Sequence, residues 1–179
     1  MKEGEPVFDP TIYENLKVVL EGAVYDLDLS GQILVTKRAD LIDLSTMSRS
    51  YVIEFTKKTT RPSKAEICLH VHLSDLAAEI LENPSASPGC TLEIKLYTKV
   101  TEPARDCAEI EKQLQQIWEH RPKISQQLSF TYGATAAKFM HNQITLSFGR
   151  KINEGHIDDF PRLLDYAIDS LTWLDERGS

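Results

Sequence analysis

Hydrophobic and polar positions alternate along much of this chain, and in two stretches the alternation gives way to the longer spacing of amphipathic helices. From Asn15 the chain reads as extended. Leu16, Val18 and Leu20 stand two residues apart, and Ala23, Tyr25, Leu27 and Leu29 alternate with Val24, Asp26 and Asp28. Ser30-Gly31 supplies a turn and Ile33-Leu34-Val35 a return, so residues 23–37 are expected to form a hairpin. Tyr51 to Phe55 is a further strand. The polar, basic run Lys57 to Lys64 carries Pro62 as a loop marker. Residues 66–73 alternate again, and Ser74 is placed to cap a short helix over 75–82 that Asn83-Pro84 closes. The Ser- and Pro-rich segment Pro84 to Pro88 reads as a surface loop.

The second half contains a weak repeat of strand followed by helix, over 91–119 and 143–174. Leu92, Ile94 and Leu96 alternate ahead of a helix from about Pro103 to Glu119, whose stripe is Cys107, Ile110, Leu114 and Ile117. Ile144, Leu146 and Phe148 alternate ahead of a helix from about Asp158 to Leu174, with its stripe at Phe160, Leu164, Ala167 or Ile168, Leu171 and Leu174. Pro103 and Pro161 fall in first turns, where a missing amide donor does no harm. Leu128, Phe130 and Tyr132 suggest one more strand. The expected fold is α+β: a largely antiparallel sheet of about seven or eight strands, with two long helices and one short helix packed mainly on one face. Residues 1–9 read as a flexible lead and 10–179 as a single domain.

Composition narrows the function classes. A formal net charge of -7 opposes non-specific attraction to nucleic acid or anionic lipid. No apolar run approaches the roughly 18–20 residues of a membrane span, and the first residues lack the apolar core of a secretory signal. Cys68, Cys90 and Cys107 are odd in number and widely spaced, which suits free thiols in a reducing compartment. The cytoplasm is the expected address.

The densest local chemistry is Cys68-Leu69-His70-Val71-His72. On a strand, Cys68, His70 and His72 line one face and Ile67, Leu69, Val71 and Leu73 the other, so two imidazoles and a thiol project together as candidate metal ligands. A further donor has to come from elsewhere: His120, His141 and His156, or Asp75, Glu66 and Glu54. Among the cysteines, Cys68 is the expected reactive thiol, because a flanking imidazolium lowers a thiol pKa. Asp43-Leu44-Ser45 faintly resembles the Asp-x-Ser element of PilZ domains, which bind a cyclic dinucleotide. Only Arg38 stands where that family has paired arginines, and Ser48 replaces its closing glycine, so no residue role is carried over.

No nucleophile elbow and no Gly-rich phosphate loop is present. The basic run 57–64 has no interleaved aromatic residue to stack on bases, so nucleic acid is not an expected partner. The first reading is therefore a non-catalytic binding or regulatory module for a protein partner or small ligand, with a homodimer as a candidate assembly. Trp118, Tyr132, Phe139, Met140 and Trp173 are its candidate contact residues. The alternative is a small metal-dependent enzyme built on Cys68, His70 and His72. A third possibility is a ligand carrier with a cavity between the sheet and the C-terminal helix.

Overall fold

The computed structural model describes residues 11–60, 62–133 and 138–177. The expected lead over 1–9 lies outside the described residues. The fold is α+β, with α1 (Ile12–Leu29), β1 (Leu34–Asp43), β2 (Ser48–Thr56), β3 (Lys64–Val71), α2 (Leu73–Ile80), β4 (Cys90–Val100), α3 (Pro103–Ile117), β5 (Lys123–Ser129), β6 (Met140–Ile152), a 3-10 turn (Glu154–Asp159) and α4 (Phe160–Arg177). The sheet is open and antiparallel throughout, in the order β1-β2-β3-β4-β6-β5. Six strands and four helices replace the expected seven or eight strands and three helices among the described residues.

The largest correction is α1, which stands where a hairpin over 23–37 was expected. Its buried side chains are Tyr13, Leu16, Leu20 and Val24, and Val18 is exposed. A spacing of four residues is two pleats of a strand and about one turn of a helix, so Leu16, Leu20 and Val24 satisfy both periods. Tyr13, three residues before Leu16, fits only the helix. The Glu79 carboxylate of α2 caps the helix start by accepting the amides of Thr11 (2.5 Å) and Ile12 (3.1 Å). Ser30-Gly31 ends it rather than turning a hairpin. The Gln32 amide reaches the Leu27 carbonyl and the Gly31 amide that of Asp28, with Gly31 at φ +83°. That is the Schellman arrangement, in which the left-handed position favours glycine.

Alternate strand positions face the helices: Tyr51, Ile53 and Phe55, then Ile67 and Leu69, then Leu92, Ile94 and Leu96, then Ile144 and Leu146, all buried. They share one core with Ile110 and Leu114 of α3 and with Phe160, Leu164, Leu171 and Leu174 of α4. The units expected to repeat lie side by side, since β4 pairs with β6. The opposite face carries a lattice of charge. Glu66 lies between Lys37 (3.4 Å) and Lys95 (3.8 Å) and accepts from the Tyr97 hydroxyl, while Glu54 accepts from Thr36 and Lys64.

Asp106 ties the two long helices together from within the core. Its carboxylate accepts the amides of Thr101 and Glu102, both at 2.9 Å, and meets Arg177 at 2.5 Å. Burial alone raises a carboxyl pKa. Here the two amides and Arg177 outweigh it and hold Asp106 well below the usual carboxylate range. A depressed native pKa gives stability that is present above the ordinary value near 3.8 and lost as pH falls through the native one. Arg177→Ala is expected to lower unfolding free energy by about 2 kcal/mol at neutral pH, because it takes the nearer cation from a buried carboxylate and leaves it the more exposed Arg105 at 3.3 Å. Urea denaturation at neutral and acid pH should show the variant losing less on acidification than the native chain; an equal loss would remove Asp106 from this role.

Candidate functional site

The structure divides the histidine row. Cys68 and His70 lie on the face of β3 away from the helices, as expected, with Glu93 and Thr91 of β4 as their register partners. His72 is past the strand and is the N-cap residue of α2. The two rings still meet, with centroids 4.4 Å apart and His70 Nε2 to His72 Nδ1 at 3.4 Å, while Ser50 Oγ lies 2.7 Å from His70 Nδ1. That N···N distance equals the edge of a tetrahedron around an ion with bonds of about 2.0–2.1 Å. Two donors are in place.

None of the remote candidates joins them. His70 pairs with Thr91 and His141 with Lys99, eight residues further along β4 and so about 26 Å away. His120 follows α3, and His156 closes a capping box with Asn153. Asp75 is held by Lys151 at 2.6 Å, and Glu66 and Glu54 serve the charge lattice. No group of three metal-binding side chains is assembled among the described residues. Burial pushes the Cys68 thiol up, outweighing the pull of Lys95, and so runs against the expected lowering by an imidazolium. Asp43-Leu44-Ser45 also has a local explanation: Asp43 accepts the Ser45 amide at 2.8 Å in the β1–β2 turn.

A different site forms between the sheet and the C-terminal helix. β6 contributes Phe148, Arg150 and Ile152, β4 contributes Leu92, the end of α3 contributes Trp118 and Arg121, and α4 contributes Phe160, Arg162, Leu163 and Tyr166. They enclose a cavity of about 80 Å3 that opens to solvent. Trp118 is buried, contrary to its expectation as a surface contact, and packs at 5.8 Å from Phe148 and 5.4 Å from Tyr166. A buried indole N–H needs an acceptor. Ser170 Oγ supplies it at 2.9 Å and donates its own hydrogen bond to the Tyr166 carbonyl.

At the rim, Glu119 bridges three side chains. One oxygen accepts from Arg162 (2.6 Å) and the Tyr166 hydroxyl (2.7 Å), the other from Arg121 (2.7 Å). Tyr166 and the two arginines hold its carboxyl below its ordinary pKa. Glu119 does this from a left-handed backbone at φ +53°, in a Schellman turn where the His120 amide reaches the Gln115 carbonyl. The sequence reading missed these arginines because positions 121, 150 and 162 share no motif. A usable signal was present: the α3 stripe ends in Trp118 with no glycine after it. The other expected contact residues are scattered, with Tyr132 fully exposed after β5 and Phe139 under Lys99. The chain matches no protein-family model, no curated protein and no solved structure.

Two outcomes follow. Glu82 ends α2 in the same turn at φ +46°, its amide reaching the Glu79 carbonyl, with no side-chain hydrogen bond or ion pair among the described residues, so Glu82→Gly is expected to stabilise by about 1 kcal/mol. Glu119→Gly relieves the same strain but loses the bridge, and thermal denaturation should show a smaller gain; equal gains would mean the bridge contributes nothing. Burial first, then the neighbouring His72, keep the His70 imidazole below its ordinary pKa. In an NMR titration His72→Ala should therefore raise the His70 midpoint, and an unchanged midpoint would show that the rings do not interact.

Proposed function

We propose that the protein is a non-catalytic binding module whose cleft takes an apolar anchor side chain from a protein partner. The observation that carries the reading is the cleft itself, a solvent-open cavity floored by Trp118, Phe148, Phe160 and Leu163. Its size selects the occupant. At about 80 Å3 it is far below the ~300–1,000 Å3 of sites that engulf a whole small ligand, yet it holds several times the volume of one water. A single side chain or the edge of a ring fits. Aromatic floors of this kind are where interfaces concentrate their binding energy, because an anchor there leaves water completely.

Support for the metal-dependent alternative rests on the His70–His72 pair alone. A catalytic zinc is typically fixed by three protein ligands with one position left open, and this pair supplies two.

Selection of random peptides displayed against the full chain is expected to enrich sequences sharing one aromatic or branched apolar residue. Leu163→Glu, which places a carboxylate in the cleft from a half-buried position on α4, should weaken those peptides at least about tenfold while circular dichroism shows the fold retained. Peptides that keep their affinity for this variant would place the interface elsewhere and end the reading.

A further inference from the structure

Three guanidiniums surround the mouth of the same cleft, in a chain whose formal net charge is -7. Arg121, Arg150 and Arg162 come from three separate elements, and each side chain is more than half exposed, at 52%, 61% and 56%. Two carboxylates answer them. Glu119 takes one N–H from Arg121 and one from Arg162, and Asp159 stands 3.9 Å from Arg150, outside hydrogen-bond distance. Three positive groups against two negative ones leave the mouth net positive, and His156 lies on the same rim. A guanidinium has five donors in a fixed fork. Arg162 spends one on the Tyr166 hydroxyl and one on Glu119, so each of the three arginines keeps donors without partners among the described residues.

Resting on the reading of the cleft as an anchor site, we propose that the anchor it receives carries or adjoins an anionic group, a carboxylate or a phosphoryl, seated by Arg121, Arg150 and Arg162. Glu119 is the positioning residue. By accepting one N–H from each of two guanidiniums, it holds them together at the mouth, and the Tyr166 hydroxyl anchors the oxygen that meets Arg162 to α4. The bridge is also held by backbone in a conformation that costs a non-glycine residue free energy, at a turn where glycine fits without penalty. Arginine suits this seat better than lysine because its planar fork meets both oxygens of a carboxylate or phosphoryl group.

The full-length protein is titrated with three probes sharing a phenyl body, phenylacetate, phenyl phosphate and 2-phenylethanol, following the Trp118 indole N–H by NMR. Both anions are expected to bind at least about tenfold more tightly than the neutral alcohol at low salt, and the margin should collapse when salt is raised to about 0.5 M. Preference for phenylacetate assigns the group to an acidic residue or chain terminus, and preference for phenyl phosphate to a phosphorylated one. In Arg150→Gln/Arg162→Gln the margin should fall with 2-phenylethanol binding retained, which a merely structural role would not produce; in Glu119→Gln it should fall as well although a competing negative charge is gone, and a margin that rises there would end the positioning role. Equal affinities for all three probes, or a margin that survives the arginine substitutions, would overturn the anion seat and leave the apolar anchor standing. A Trp118 signal that no probe moves would overturn both.

Discussion

The hydrogen bond from the Trp118 indole to Ser170 is the constraint on which the cleft depends. An indole buried to this degree has surrendered its water, and its N–H must be answered from within the protein. Ser170 on α4 answers it, and the serine hydroxyl in turn bonds the Tyr166 carbonyl one helical turn back. The end of α3 is thereby locked to the middle of α4 at one register. Everything at the rim follows from that lock, because Glu119 is the next residue after Trp118 and can meet Arg162 and Tyr166 only when the two helices stand so. Asp106 and Arg177 make a second tie between the same helices at their other ends. A cavity beside well-packed aromatic rings stays open only if the elements around it cannot slide together, and two fixed ties between α3 and α4 provide that resistance.

Legibility in the sequence followed how uniquely each pattern mapped to one geometry. The α3 and α4 stripes have mixed spacings of three and four that no strand satisfies, and both helices form as read. The α1 segment failed because Leu16, Leu20 and Val24 are four apart, a spacing shared by the two periods, and the single discriminating residue, Tyr13, lay upstream of the window. The side of β3 that carries Cys68 and His70 was legible, since Leu69 and Val71 alternate with them and are buried. The fate of that row was not. Whether other donors converge depends on strand order, which puts His141 at the far end of β4 from His70. The arginines were illegible for the same reason in reverse: residues dispersed over forty positions meet only because β6, α3 and α4 close around one cavity.

The two left-handed glutamates show why a local rule, when broken, calls for a tertiary explanation. Gly31 ends α1 as helix-stop chemistry prefers, and Glu82 and Glu119 end α2 and α3 in the same turn at a cost. For Glu119 the compensating contacts are Arg121, Arg162 and the Tyr166 hydroxyl. For Glu82 the described residues supply none.

Charge arranges the cleft's selectivity through contrast more than through strength. A chain with a net charge of -7 repels an acidic partner over most of its surface, and over distances up to about the Debye length of 8–10 Å. At the mouth between Arg121, Arg150 and Arg162 that sign is locally reversed. An anionic group gains there only by coming within direct contact of the guanidiniums, so affinity for it comes from placement in the cleft and not from diffuse attraction. A wrong pose leaves a carboxylate facing the protein's own carboxylates, which is an unfavourable state built into the surface. On the proposed reading the same arrangement gives a role to the exposed, incompletely paired arginines beside a cavity too small for a whole ligand: the apolar floor would contribute the burial, and the rim would select the anchor.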